Sequence, residues 1–220
     1  MHYDMVSLGP ARMDVFVTLP DEDVTEICSI DKQTCMIQLG FGDKIPVKQM
    51  SFEIGGNTGN NAVGLSKLGY KVAMVGTMGD HFLENAVLDI LKKENVETKY
   101  IVKIPGKFGF GVIINYQGER TILSYYPDSE CIFKIADENV TADWVYLTTA
   151  GQDFECFYED AVAWAKKIGA KMAFNPGSRQ IKMGVEKIRY AYENAEVIFV
   201  NKEEAALLLH LNPNDSIMKV

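Results

Sequence analysis

The chain reads as an α/β protein built on a doubly wound, mostly parallel sheet flanked by helices. Two observations predict this. Short unbroken apolar runs, Val72–Val75, Trp144–Leu147, Met172–Phe174 and Val197–Val200, have the composition of strands buried on both faces. Between such runs lie longer stretches with a helical apolar period: Leu83, Ala86, Val87, Ile90 and Leu91, then Phe154, Phe157, Ala161, Trp164 and Ile168. Strand and helix in alternation give a parallel sheet whose ligands sit beyond the carboxyl ends of the strands.

Taken in order, Val6-Ser7-Leu8 is a first strand, ending at Gly9 and followed closely by Asp14. Val15 to Phe52 breaks the pattern with short β-like pieces, including Cys35–Leu39, and a turn at Phe41-Gly42-Asp43. A glycine-rich run from Gly55 opens a short helix that ends at Gly69. After the Val72 strand, Asp80 is placed to cap the helix that begins near Phe82. Tyr100 to Tyr126 contains a hairpin: Phe110–Tyr116, a turn at Gln117–Arg120, then Thr121–Tyr125. Asn175-Pro176 follows the Met172 strand, a helix covers Val185–Ala195, and the last helix covers about Lys202–Leu209.

With 220 residues the chain can bury a sizeable core. Its 22 basic and 30 acidic residues give a net charge of −8, which argues against nucleic acid as a partner. No apolar run is long enough to span a membrane, and Asp4, Arg12 and Asp14 interrupt any leader-like segment. The four cysteines form no Cys-x-x-Cys pair and the histidines are scattered, so zinc-type spacing is absent. Cys28 and Cys35 could form a disulfide or hold a metal, but ordinary thiols are expected. A reduced, cytoplasmic setting follows from that reading.

The densest chemistry lies in Gly55-Gly56-Asn57-Thr58-Gly59-Asn60-Asn61-Ala62. Glycine lets backbone approach a ligand, asparagine offers donors and acceptors to hydroxyls, and a helix start adds free N–H groups. This suits a small polyol. It is not a dinucleotide fingerprint, because the Gly-x-Gly-x-x-Gly spacing is missing. The bland reading of Asn60, a helix cap, is compatible with ligand contact.

This run, through Leu68-Gly69, resembles the first signature of the ribokinase-like (PfkB) carbohydrate kinases. Three further segments fall in the family's order: Gly9 with Asp14, Val75-Gly76-Thr77-Met78-Gly79-Asp80, and Val197–Val200 followed by Asn201-x-x-Glu204. The resemblance implies an incomplete ribokinase-like fold. Its α/β core would be residues 1–14, 53–98 and 127–220, with a β lid of 15–52 and 99–126 that covers the sugar and supports a homodimer. Asp14, Gly55, Gly56 and Asn60 would bind substrate. Asn201 and Glu204 would serve ATP and Mg²⁺, Glu204 holding the metal through water, although the same pair can form a capping box. The implied reaction is ATP-dependent phosphorylation of a sugar hydroxyl, with a nucleoside as the alternative acceptor. The family's second signature, Gly-Ala-Gly-Asp, carries the catalytic base and does not occur in these residues. The base is therefore expected beyond Val220, and this chain alone is expected to bind sugar without turnover. The rival reading is a non-catalytic product that binds a sugar or a protein partner. Two departures stand out: His81 and Glu84 occupy places where the family often has an acidic residue and a glycine.

Overall fold

A computed structural model describes residues 1–30, 35–126, 131–135, 139–151 and 153–211. The chain opens with β1 (His2–Leu8), crosses to β2 (Arg12–Thr18), and makes a small hairpin of β3 (Thr25–Cys28) and β4 (Cys35–Gln38). Then β5 (Gln49–Gly55) leads into α1 (Asn57–Lys67), β6 (Val72–Met78), α2 (Phe82–Lys93) and β7 (Glu97–Lys103). A second hairpin follows, β8 (Phe110–Tyr116) and β9 (Glu119–Tyr125). The remainder runs β10 (Thr141–Leu147), α3 (Phe154–Ile168), β11 (Lys171–Phe174), α4 (Ser178–Lys182), α5 (Val185–Tyr192), β12 (Val197–Ile198) and α6 (Lys202–Leu208).

Among the described residues, six strands form one sheet in the order β12-β11-β10-β1-β6-β7, every pair parallel. This is the doubly wound α/β architecture. The unbroken apolar character of β6 has a direct cause. Ala73 and Val75 pack on one face with Val6, Leu8 and Phe154. Val72 and Met74 point the other way and pack with Val87 and Leu91 of α2.

A second sheet has the order β5-β2-β8-β9, with β2 antiparallel to β5 and parallel to β8. Its register puts Val15, Val17, Met50, Phe52, Val112, Ile114 and Leu123 on one face. Met50, Phe52 and Leu123 on that face are all exposed. Strand β7, most of which falls in the stretch assigned from sequence to the lid, pairs with β6 in the larger sheet. The β8–β9 turn is only two residues long. Gln117 and Gly118 both have positive φ, 47° and 89°, the geometry that matches the twist of paired strands.

Two local expectations are corrected. Cys28 and Cys35 are not free thiols: they face each other across the β3–β4 ladder and form a disulfide, and Cys131 is bonded to Cys156. Directly opposed positions of an antiparallel ladder bring side chains into contact, which sequence separation alone does not reveal. Asp80 does not cap α2. His81 is the cap residue, accepting from the Leu83 N–H, while Asp80 Oδ1 accepts from the Gly106 N–H and ties down the loop after β7. No helix among the described residues is long and apolar enough to cross a membrane.

The glycines of this fold make opposite predictions by position. A Cβ on Gly76 would lie 2.4 Å from the Gly9 carbonyl oxygen, backbone that cannot step aside, whereas one on Gly64 would meet nothing within 4 Å. Gly76→Ala should therefore destabilise by about 1–3 kcal/mol. Gly64→Ala, mid-helix and exposed, should stabilise by about 0.5–1 kcal/mol. Urea midpoints of the two variants against the parent chain test both signs.

Candidate functional site

The order of the parallel sheet reverses at β1. The chain moves outward to β6 and β7 on one side, and to β10, β11 and β12 on the other. The crevice beyond the carboxyl ends of β1 and β10 is the place where such sheets bind ligands. A cavity of about 160 Å³ lies there. Its wall takes Gly9 to Arg12 from the exit of β1, Gly76 to Gly79 from β6, and Thr149 to Gly151 from the exit of β10. The N-terminus of α1 contributes Gly56 and Asn57, and the end of β9 contributes Tyr125 with Tyr126 just after it.

Close backbone packing makes this wall. Gly9, with φ of 138°, would place a Cβ 2.6 Å from Thr58 Oγ1 and 2.8 Å from the Thr149 carbonyl oxygen. Gly56, with φ of 80°, turns the chain from β5 into α1 and is its cap residue, with no side-chain cap. The N–H groups of the first turn of α1 are thereby left for other acceptors.

A polar network fixes the carboxyl ends of β10 and β11 to α1. Asn57 Nδ2 donates to Asn175 Oδ1 at 2.8 Å and to Thr148 Oγ1 at 3.2 Å. Tyr146 OH donates to the same Asn175 oxygen at 3.2 Å, and Thr148 Oγ1 donates to the Asn175 carbonyl at 2.8 Å. One turn further along α1, Asn61 Oδ1 accepts from Ser7 Oγ at 2.6 Å.

Asp14 lies on β2, opposite Gly111 of β8 and two residue pairs along from Gly55 of β5, which faces Arg12. Both glycines make room for its carboxylate: a Cβ on Gly55 would be 1.9 Å from Asp14 Oδ2, and one on Gly111 would be 2.4 Å from Oδ1. Arg12, two residues earlier on the same face of the strand, donates from Nε to Asp14 Oδ1 at 2.9 Å. Its guanidinium carbon lies 5.1 Å from the centre of the Tyr126 ring.

Of the residues expected to bind substrate, Gly56 lines the cavity. Gly55 and Asp14 pack against each other outside the cavity wall, and Asn60 is exposed on α1 and is not part of that wall either. Asn201 and Glu204 lie outside the cavity, at the start of α6. They form a capping box: Asn201 Oδ1 accepts from the Glu204 N–H, and Glu204 Oε2 accepts from the Asn201 N–H. Glu204 Oε1 accepts from Ser178 Oγ at 2.7 Å, and no cationic side chain pairs with this carboxylate among the described residues.

Sequence reasoning nominated none of Arg12, Asn57 and Glu84 as a site residue, naming Asn57 only within the glycine-rich run and Glu84 only as a departure from the family's pattern. The spacing of Arg12 and Asp14, i and i+2 on a strand, was the available signal for the first. Glu84 lines the cavity while only 4% exposed. Its Oε1 accepts from the Gly109 N–H at 3.2 Å. Burial raises its pKa above the ordinary 4.5, outweighing the backbone hydrogen bonds that pull it down.

A family model described as pfkB family carbohydrate kinase matches residues 24–220. The chain belongs to that family. It is 29% identical over 96 residues to a 5-dehydro-2-deoxygluconokinase of Mesomycoplasma hyopneumoniae, a match covering 43% of this chain and 28% of that protein. Among solved structures it is similar to the ribokinase of Arabidopsis thaliana complexed with ribose and ATP, with a TM-score of 0.72 and 16% identity, covering 100% of this chain and 67% of that one. A nucleoside kinase of Burkholderia thailandensis in complex with inosine superimposes with a TM-score of 0.68 and 18% identity, covering 94% and 63% of the two chains. The chain thus shares the fold of these solved kinases, and it spans roughly a quarter to two thirds of the relatives it matches.

The buried Glu84 gives the cavity wall a pH dependence. A carboxyl whose folded pKa lies above its unfolded value favours the fold below the unfolded value, and that contribution is lost as pH rises through the folded one. Glu84 should therefore weaken the fold progressively above about pH 4.5. Glu84→Gln removes the ionisation, so the melting temperature of the variant relative to the parent should climb between pH 4.5 and neutrality. A pH-independent difference would show that Glu84 does not titrate in that range.

Proposed function

We propose that this chain carries the substrate-binding part of an ATP-dependent kinase that phosphorylates a sugar hydroxyl. What supports this reading is the pfkB-family match together with Gly56 in the cavity wall and Asp14 ion-paired to Arg12, which lines the same wall. Asp14 Oδ1 is held by Arg12, and Oδ2 is left to accept from a substrate hydroxyl. A carboxylate accepting such bonds both orients the sugar and favours a polyol over a less hydroxylated ligand. Gly56 and the first turn of α1 would approach the sugar with backbone, and Asn60 would add a side-chain amide. Tyr125 at the end of β9 and Tyr126 after it would shield the acceptor from water, which keeps ATP from hydrolysis.

Phosphoryl transfer needs alignment, charge neutralisation and removal of the hydroxyl proton. Asn201 and Glu204 would hold the Mg²⁺ of a nucleotide complex through water, the metal supplying neutralisation of phosphate charge. The unpaired charge of Glu204 fits that task. For the third requirement, no residue of the cavity wall is nominated as the base. We therefore assign sugar binding without turnover to these 220 residues.

Titration calorimetry with ribose, fructose and adenosine tests the reading. At least one sugar should bind, and Asp14→Asn should weaken it about tenfold or more. Adenosine binding more tightly than both sugars would move the assignment to a nucleoside kinase. Sugar-dependent ADP release by the unmodified chain would contradict the absence of turnover.

We also propose that the apolar face of the second sheet joins two copies of the chain. Met50, Phe52 and Leu123 leave it uncovered, more exposed than a lone apolar side chain needs to be. Sizing with light scattering should give a dimer, and Phe52→Asp should shift it to monomer. A parent chain that remains monomeric at about 100 µM would sink this part, since weaker association falls outside stable interfaces.

A further inference from the structure

We propose that Glu84 is a positioning residue of the cavity: as a neutral carboxylic acid it clasps the loop of residues 104–109 to the start of α2, and its ionisation releases that loop and weakens ligand binding. The loop joins β7 of the larger sheet to β8 of the second one, and Ile104, Lys107 and Gly109 from it line the cavity. The turn between β6 and α2 holds it at several points. The Met78 carbonyl accepts from the Ile104 N–H at 2.8 Å, and Asp80 Oδ1 accepts from the Gly106 N–H at 3.0 Å. The His81 ring stacks on Phe108, with centres 4.6 Å apart. Glu84 Oε1 makes the last tie, accepting from the Gly109 N–H at 3.2 Å. Asp80 is exposed and Glu84 is buried, so only the second carboxyl depends on its proton.

The other oxygen of Glu84 shows where that proton sits. Oε2 is buried and has no hydrogen-bond partner among the described residues. Its neighbour is a further acceptor: a Cβ on Gly79 would run into both Glu84 Oε2 and the Lys107 carbonyl oxygen, so those two oxygens lie side by side. Two buried acceptors leave each other unsatisfied, whereas a proton on Oε2 lets it donate to the carbonyl and close the loop. Burial favours that neutral form and outweighs the backbone N–H groups that favour the charged one. When the proton passes to solvent, the carboxylate regains hydration only as the loop swings out. Phe108 moves with it, and its ring packs 5.7 Å from that of Tyr125 in the cavity wall.

The titratable groups around Glu84 are Asp80 and His81 on its own turn and Lys107 on the facing loop, with Arg12 and Asp153 elsewhere in the wall. Charge on His81 favours the ionised form, against burial. The closed loop holds the proton, so affinity falls as pH rises above about 4.5 and through the folded-state pKa.

Hydrogen exchange of the full chain reads the loop without any ligand. In Glu84→Gln the side-chain amide donates to the Lys107 carbonyl at every pH, and its oxygen still accepts from Gly109. The Gly106 and Gly109 amides should therefore exchange faster in the parent than in Glu84→Gln at the same pH, with a gap that widens from pH 5 to pH 9. The ligand arm rests on the sugar reading above. It uses calorimetry with whichever of ribose, fructose and adenosine binds. The parent's dissociation constant should rise about three- to tenfold over that range, the worth of one hydrogen bond. Glu84→Gln should keep the low-pH value throughout, and Glu84→Leu, which makes neither bond, should bind weakly at every pH. His81→Asn, which keeps a capping side chain, should retain the parent's pH dependence. Thermal unfolding establishes that each variant is folded, and if Glu84→Leu is not, the parent and Glu84→Gln carry the decision. An exchange gap that does not change with pH overturns the proposal. So does a pH dependence of binding that survives in Glu84→Gln or disappears in His81→Asn. Exchange as expected with no sugar or nucleoside bound supports the clasp and overturns the sugar reading instead.

Discussion

Three residues, Gly9, Pro10 and Ala11, carry the chain from the central strand of one sheet to the central region of the other. Much of the site depends on that short crossing. Because β1 runs parallel to β6 and β10, its carboxyl end lies at the same edge as theirs. Whatever follows Gly9 must therefore begin at the ligand-binding edge. The crossing leaves no length for a side chain at its start: Gly9 is closed in by Thr58, the Thr149 carbonyl and Gly76. Arg12, the first residue of β2, is placed at the cavity by chain length before any side-chain interaction acts.

The return crossing is just as short. Strand β5 pairs with β2 so that Arg12 lies opposite Gly55, and α1 begins two residues later at Asn57. Both crossings therefore meet at one point, and two glycine-rich segments far apart in sequence become adjacent. The Asn175 amide then locks α1 to the ends of β10 and β11. Close packing of this kind tolerates little change in volume. It offers a ligand a preorganised wall, which reduces the ordering cost of binding.

The central sheet was legible because its strands are buried on both faces, and their apolar runs follow from that burial alone. The helices α2 and α3 were legible for the same reason, each having one face against the sheet. Side-chain roles at the edges were harder to read. Three asparagines, Asn57, Asn60 and Asn61, compete in one run, and composition cannot choose between them. Helical phase separates their structural roles: positions i and i+4 share a face, so Asn57 and Asn61 both hydrogen-bond to groups at the sheet strands, and Asn60 lies off that face. The residue just before α2 illustrates a second limit. Asp80 is the better capping type, but the loop after β7 offers its carboxylate the Gly106 N–H, and His81 takes the cap. The Cys28–Cys35 bond depended on strand register, which spacing does not encode.

The Arg12–Asp14 pair is the point at which stability and function separate. Side chains 16% and 14% exposed have lost most of their hydration. An ion pair so placed is weak evidence for stability, because desolvation consumes much of the attraction. A well-packed apolar pair would serve the fold as well. The sequence instead provides Gly55 and Gly111 to make room for the carboxylate, and glycine inside a strand has its own cost. It also leaves Arg12 Nη1 without a partner among the described residues. Several local compromises thus converge on one ion pair at the mouth of the cavity, the pattern expected where a site rather than the fold sets the requirement.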